Sequence, residues 1–194
     1  MMDECVKVYY SAIPKGDVNY DIYPEERARE IDAIRNDRLK REKYFAWKLL
    51  ELALIENGVD IKALDFAKNE SGKWVCDKCY FSLSHTDGAV AVALSDSSVG
   101  VDIEVLSDRA LKVAKKVFSA EELDAFCDDD ILYTTKLWTM KESIFKTLDE
   151  RVFSPQSISA FEHETKTRDV TVAGKKYVVS VAGKGAENAE FYEK

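Results

Sequence analysis

The sequence has 194 residues, of which 46% are hydrophobic and 11% aromatic, enough to form the core of one domain or of two small ones. Its 28 basic and 36 acidic residues give a net charge of -8, which argues against broad binding of nucleic acid or of an anionic membrane. No apolar run approaches the ~20 residues that cross a bilayer, and the first residues lack a signal-peptide pattern, so we expect a cytoplasmic protein.

The first half of the sequence predicts a strand, helices and then more strands. Residues 5–13 (CVKVYYSAI) are β-branched and aromatic, which favours a strand. From Glu25 to about Asn57, apolar residues recur at mostly helical intervals among many charges, which predicts one or two helices with a basic face. After a polar loop or hairpin, residues 81–106 predict three strands joined by TDG and SDSS turns, as an antiparallel meander.

The second half predicts helices followed by a hairpin. Residues 108–117 and 121–126 favour two short helices, and residues 169–183 favour the hairpin. A longer helix is predicted at 135–148 (TKLWTMKESIFKTL), with apolar residues on one face. These apolar residues are Leu137, Met140, Ile144 and Leu148.

The four cysteines include one CxxC pair, formed by Cys76 and Cys79 in WVCDKCYF. Structural zinc takes four ligands, and Cys5 and Cys127 do not form a second pair at a suitable spacing. We therefore favour free thiols in a reducing compartment, with a metal half-site completed by a second chain as the alternative.

Two carboxylates interrupt the β-branched run VGVDIE at residues 99–104. Strand side chains alternate between faces, so Asp102 and Glu104 share one face with Gly100. One interpretation is a solvent-exposed face. The other is a divalent cation, which would relieve the repulsion between two adjacent anions.

A third acidic residue of interest lies in the predicted helix LWTMKESIFK, where it is followed by a lysine. Glu142 and Lys146 are four residues apart and so lie on one stripe of that helix. They form either a surface ion pair of ~0.3–0.5 kcal/mol or a third metal carboxylate beside a phosphate-binding ammonium.

Together, VGVDIE and LWTMKESIFK resemble the paired signature of the 4'-phosphopantetheinyl transferase superfamily, in its surfactin-synthetase-activating (Sfp) type. Three further segments resemble this family in order and spacing: SGKW, FSLSHTDG and KKVFSAEEL. The resemblance spans about residues 70–150. Two features depart from the family: Trp74 replaces a frequent proline, and TLDERVFSPQ lacks the usual glycine after Lys146.

The resemblance implies an α/β (α+β) fold of two similar halves about a pseudo-twofold axis, each a small antiparallel sheet with a long helix. Residues 1–99 would bind the nucleotide side of coenzyme A, and residues 100–194 would bind magnesium and pyrophosphate. The two halves would form one intimate pseudodimer within a monomeric chain.

The resemblance also implies roles for particular residues. One Mg²⁺ ion would be held by Asp102, Glu104 and Glu142. The catalytic candidates are Glu142, Lys146 and Glu122, with Lys146 neutralising pyrophosphate charge. Coenzyme A would be contacted by Lys73, Ser84, His85, Lys48 and Lys146, with His85 at the 3'-phosphate.

Two of these assignments have structural alternatives. The segment SAEE is also a capping box, in which Ser119 and Glu122 would exchange hydrogen bonds at a helix start. Lys48 could equally belong to a solvated basic face. The second histidine, His163, lies outside every motif and receives no role.

The implied reaction is Mg²⁺-dependent transfer of the 4'-phosphopantetheine arm from coenzyme A to a serine of an apo acyl or peptidyl carrier protein, releasing adenosine 3',5'-bisphosphate. The alternatives are a pseudoenzyme that binds coenzyme A or the carrier, and another Mg²⁺-dependent phosphoryl-transfer enzyme. No nucleic acid or membrane partner is expected.

Overall fold

A computed structural model describes residues 5–16, 18, 21–108, 111–112, 116–124, 130–148 and 152–194. Phe126, Cys127 and the middle of the helix predicted at 108–117 lie outside these ranges. The described strands are β1 (Lys7–Ala12), β2 (Phe66–Lys68), β3 (Trp74–Cys76), β4 (Tyr80–Thr86), β5 (Ala89–Ser95), β6 (Val99–Val105), β7 (Thr165–Val172), β8 (Lys175–Gly183) and β9 (Glu190–Glu193). The helices described over their whole length are α1 (Glu25–Asp32), α2 (Asp37–Glu56), α3 (Ala120–Asp124) and α4 (Ile131–Thr147).

The two long helices begin at side-chain caps. The Asn36 carboxamide oxygen accepts the Leu39 N–H at 3.0 Å at the start of α2. The Asp130 carboxylate accepts the Tyr133 N–H at 2.9 Å, so α4 begins four residues before the predicted start. Within the described ranges, no helix combines the length and the apolar character needed to span a membrane.

The strands form a four-stranded sheet, a three-stranded sheet and a small β2–β3 hairpin, in an α+β arrangement that confirms the predicted class. The larger sheet has the order β4-β5-β1-β9, in which only the unpredicted β9 pairs in parallel, with β1. The smaller sheet, β6-β8-β7, is antiparallel throughout.

The predicted three-stranded meander is wrong in its last strand. β4 and β5 form the expected hairpin across Asp87 and Gly88. β6 instead pairs with β8, because the free edge of β5 is occupied by β1. The SDSS turn therefore carries the chain from one sheet to the other.

Apolar residues join the two sheets face to face. Their shared cluster includes residues of β1 and β5 from the larger sheet and of β6 and β8 from the smaller: Val8, Tyr10, Ala91, Ala93, Val101, Ile103, Val179 and Val181. On the other face of the larger sheet, Trp47 and Leu50 of α2 pack against Val92. α4 packs against β6 and β8. Each sheet thus has one long helix, whereas the proposed division at residue 99 stays a prediction.

Side-chain hydroxyls bridge the edges of the two sheets. Ser82 Oγ accepts the Val101 N–H at 3.0 Å, and Ser84 Oγ accepts the Ile103 N–H at 3.2 Å. These serines satisfy backbone donors of β6 that have no strand partner on this side. β4 is therefore positioned directly beside β6.

A close approach between β6 and α4 depends on Gly100. A Cβ atom at this position would lie 1.9 Å from the Ser143 backbone oxygen and 2.9 Å from Lys146 Cβ. We expect Gly100→Ala to lower the free energy of unfolding by about 3 kcal/mol, because a backbone oxygen cannot rotate out of the way.

The control is Gly72→Ala, where φ is +83° and no atom lies within 4 Å of the added Cβ. Its cost should be only about 1 kcal/mol, from the left-handed backbone alone. Urea denaturation of both variants measures the difference, and equal losses would contradict the close-approach explanation.

Candidate functional site

Strand β6 presents its two carboxylates toward α4. Val101 and Ile103 point into the core between the sheets, whereas Asp102 and Glu104 share the opposite face with Gly100. Asp102 is only 5% exposed, and Glu104 is half-buried. The solvent-exposed interpretation of this face is therefore wrong for Asp102.

Asp102 is held through one of its two oxygens. Its Oδ1 accepts hydrogen bonds from Lys146 Nζ and from Ser84 Oγ, both at 2.8 Å. The Lys146 ammonium also donates to the Val101 carbonyl oxygen at 2.9 Å. In contrast, Asp102 Oδ2 is buried without a hydrogen-bond partner. A buried carboxylate oxygen in this state is costly unless a donor or a cation binds it.

The other two carboxylates repel Asp102 and each other. Burial and the charge of Asp102 raise the pKa of Glu104, although Thr86 Oγ1 donates to Glu104 Oε2 at 3.1 Å. Burial, with the charges of Asp102 and Glu104, raises the pKa of Glu142 to about 7 against the opposing effect of Lys146. The charge of Lys146 thus acts on both glutamates, and its ammonium contacts Asp102 directly.

These residues suit a hard divalent cation in their chemistry. Carboxylate oxygens are the preferred protein ligands of Mg²⁺, and a bound cation would give Asp102 Oδ2 the partner that it lacks. Within the described part of the chain, no three His, Cys, Asp or Glu side chains already stand in a metal-binding arrangement. The assignment of Asp102, Glu104 and Glu142 as metal ligands stays a prediction.

Lys73 and Lys146 line one cavity beside this acidic face. Lys73 Nζ donates to the Lys146 carbonyl oxygen at 2.6 Å, which ties the β2–β3 hairpin to the end of α4. The cavity has a volume of about 280 Å³ and also contacts Trp74, Ser82 and Leu83. The structure therefore places on one cavity two lysines to which the family resemblance assigns contacts with different parts of coenzyme A.

Ser84 and His85 point to opposite sides of β4. Ser84 bonds to Asp102, whereas His85 Nδ1 lies 3.1 Å from Glu42 Oε2 on α2. Burial, followed by the charges of Lys146 and Lys43, lowers the pKa of His85 to about 4. The imidazole is therefore neutral near pH 7.

The α2 residues near His85 were not identified from the sequence. Lys48, the predicted contact, pairs with Glu51 on its own helix. The α2 cation that acts on His85 is Lys43, and Glu42 is buried beside the imidazole. Which residues of α2 face His85 depends on the rotation of the helix about its axis, and the sequence did not define that rotation. The role of Lys48 stays a prediction.

Glu122 is fully buried at the start of α3 and makes the capping box. Its Oε2 accepts the Ser119 N–H at 2.8 Å, and Ser119 Oγ accepts the Glu122 N–H at 3.2 Å. Lys141 Nζ lies 2.7 Å from Oε2, and the Ala160 N–H donates to Oε1 at 3.0 Å. These contacts favour the structural interpretation, and the catalytic role of Glu122 stays a prediction that they do not support.

Lys141 is a buried cation that sequence reasoning missed. Its ammonium binds Glu122 and also donates to the carbonyl oxygens of Pro155 and Ile158, at 2.8 and 2.5 Å. The signal was its position on the apolar stripe of α4, four residues after Leu137. A charge at such a position indicates a buried partner.

We expect Lys141→Met to lower the free energy of unfolding by about 3–5 kcal/mol, because it leaves the Glu122 carboxylate buried without its cation. The matched control is Lys136→Met on the same helix. Lys136 forms a pair with Asp169 that is 35% and 49% exposed, so its loss should cost less than about 1 kcal/mol. Thermal and urea unfolding measure both changes, and similar losses would show that the buried pair adds little.

Comparison with known proteins shows a family similarity in the C-terminal part of the chain. Residues 98–188 match the family model of the 4'-phosphopantetheinyl transferase superfamily. This segment contains the acidic residues of β6 and α4 together with Lys146, whereas Lys73, Ser84 and His85 precede it.

Curated relatives carry the same name. The chain is 34% identical over 95 residues to the 4'-phosphopantetheinyl transferase gsp of Aneurinibacillus migulanus, covering 46% of this chain and 40% of that protein. It is 37% identical over 71 residues to psf-1 of Bacillus pumilus, covering 34% of this chain and 30% of the relative. It is 34% identical over 71 residues to Sfp of Bacillus subtilis strain 168, covering 34% of this chain and 32% of that protein.

The matched segments thus span less than half of each relative's length. The resemblance stated from the motifs is nevertheless confirmed: residues 98–188 are similar to the 4'-phosphopantetheinyl transferase superfamily, and the curated proteins that the chain resembles include Sfp.

Proposed function

We propose that the protein transfers the 4'-phosphopantetheine arm of coenzyme A to a serine of an apo acyl or peptidyl carrier protein, with release of adenosine 3',5'-bisphosphate. The observation that carries this proposal is the buried Asp102, with one oxygen on Lys146 and the other without a partner. It lies in the segment that matches the family.

The acidic face would provide the metal site. Asp102, Glu104 and Glu142 would hold one Mg²⁺ ion, which when bound supplies charge stabilisation to the pyrophosphate of coenzyme A. Lys146 already contacts Asp102 and would place its ammonium beside the same phosphates. Ser84 would keep Asp102 oriented through its hydroxyl.

Residues of the β2–β3 hairpin and of β4 would bind the nucleotide. Lys73 reaches the end of α4 and would contact phosphate oxygens from the β2–β3 hairpin. His85, neutral in the absence of ligand, would donate a hydrogen bond to the 3'-phosphate. These positions favour a 3'-phosphorylated nucleotide over the substrate of a simple phosphatase.

We expect the purified protein to add one phosphopantetheine to an apo carrier when both coenzyme A and Mg²⁺ are present. Mass spectrometry of several apo acyl and peptidyl carriers measures the gain and also identifies the carrier class. Binding of coenzyme A without transfer to any carrier would favour the pseudoenzyme. Phosphate release without transfer would favour a different phosphoryl-transfer enzyme.

We expect Asp102→Asn to lower the transfer rate on the order of a hundredfold or more, because a metal ligand contributes several kcal/mol to charge stabilisation. The variant keeps the side-chain volume and an oxygen for Ser84, so circular dichroism should show a folded protein. Calorimetric titration with Mg²⁺ in the presence of coenzyme A should show weakened binding.

The matched control for this change is Asp96→Asn, at an exposed residue between β5 and β6. It should behave like the unsubstituted protein. Unchanged Mg²⁺ binding and transfer in Asp102→Asn would contradict the assignment of Asp102 as a ligand.

We expect His85→Ala to weaken coenzyme A binding by about 10- to 100-fold, because a hydrogen bond to a charged phosphate is lost. Binding of 3'-dephospho-coenzyme A should change little. His163→Ala, at the only other histidine, should leave both affinities unchanged. Calorimetry measures all four affinities, and equal losses for the two ligands would assign His85 a structural role.

A monomeric state, a cytoplasmic location and the absence of nucleic acid or membrane partners stay predictions from the sequence.

A further inference from the structure

Two cysteines outside the proposed coenzyme A contacts lie close together. Cys76 ends β3 and Cys79 directly precedes β4, with Asp77 and Lys78 in the turn between them. The two sulfur atoms are 3.5 Å apart, and the Cys76 thiol lies 3.2 Å from the Cys79 carbonyl oxygen. Since a disulfide measures about 2.05 Å, closure needs an approach of roughly 1.5 Å.

The two cysteines lie at the ends of paired strands. The pairing of β3 with β2 ends at the Phe66–Cys76 pair, and β4 begins after Cys79 at Tyr80. Asp77 and Lys78, between the two cysteines, belong to no strand pair, so a rotation within this turn can bring the two sulfur atoms together.

The two thiols differ in access and in protonation. Both line a cavity of about 430 Å³, but Cys76 is half-buried whereas Cys79 is only 9% exposed. A hydrogen bond from Cys79 lowers the pKa of Cys76 to about 7, against an opposing effect of burial. The same interaction, with burial, raises the pKa of Cys79. Cys76 is thus the more accessible sulfur and the one that more readily forms a thiolate.

We propose that Cys76 and Cys79 form a peroxide-reactive dithiol pair that closes reversibly to a disulfide. The Cys76 thiolate attacks one oxygen of hydrogen peroxide, the O–O bond breaks, and hydroxide leaves and takes up a proton as water. The Cys76 sulfur is oxidised to a sulfenic acid. The Cys79 sulfur then attacks it, the S–O bond breaks, and the leaving hydroxide takes the Cys79 proton as a second water.

Each turn of this reaction consumes two thiols and one peroxide and produces one disulfide and two waters. A small thiol reductant returns the disulfide to two thiols by exchange. The alternative for two such thiols is a soft metal ion. Among the described residues, however, no third His, Cys, Asp or Glu side chain completes a metal-binding group with them.

The test treats the reduced full-length chain with hydrogen peroxide in the presence of a chelator, alkylates the remaining thiols, and maps the peptides by mass spectrometry. We expect a peptide linking Cys76 to Cys79 that has lost two hydrogens, and its disappearance after dithiothreitol. In Cys79→Ser, a sulfenic acid should accumulate at Cys76 and react with dimedone. In Cys76→Ser, Cys79 should stay reduced.

Cys5→Ser is the matched control, because the Cys5 thiol contacts the Val6 and Asn188 carbonyl oxygens instead of another sulfur. It should form the same disulfide at the same rate. Three results would overturn the proposal: oxidation at Cys5 or Cys127 before Cys76, a disulfide between chains, or a stoichiometric zinc complex that requires both Cys76 and Cys79.

Discussion

The contact between β6 and α4 is the constraint on which the candidate site depends. Gly100 lets the strand approach the Ser143 backbone so closely that no Cβ fits between them. This approach puts Lys146 within 2.8 Å of Asp102, across the join between the two elements. The Asp102–Lys146 ion pair therefore depends on the absence of a side chain at Gly100, because both result from the close packing of β6 against α4.

Helix α4 takes part in two buried ion pairs, whose polar atoms are satisfied by hydrogen bonds to different degrees. The Glu122–Lys141 pair is fully enclosed, and further backbone groups satisfy both partners. The Asp102–Lys146 pair is partly open and leaves one carboxylate oxygen without a partner. A fully satisfied pair serves the fold, whereas the incomplete one is suited to a ligand. The same helix, α4, supplies both cations.

Local patterns predicted most elements because they depend on neighbouring residues. The helical spacing before Asn57 predicted α2, and the apolar residues around Ala173–Gly174 predicted the hairpin of β7 and β8. The sheet partner of β6 could not be predicted in this way, since pairing with β8 joins residues far apart in sequence. The parallel pairing of β9 with β1 was missed for the same reason.

The placement of a candidate site residue could be predicted where it follows from strand alternation. Asp102 and Glu104 share a face because strand side chains alternate, and the motif joined them to Glu142. The surroundings of His85 required the rotation of α2, which its mixture of charged and apolar residues did not define. Lys141 was not predicted, because a charged residue adds nothing to the apolar periodicity that indicates the buried face of α4.

Ser84 has a consequence beyond its own two contacts. Its hydroxyl accepts the Ile103 N–H while it donates to Asp102, and its backbone belongs to the strand that carries His85. A single oxygen therefore links β4 to the backbone and to the carboxylate of β6. A ligand that displaced β4 would strain both hydrogen bonds at once. Binding of a ligand at β4 would therefore change the orientation of the Asp102 carboxylate on β6.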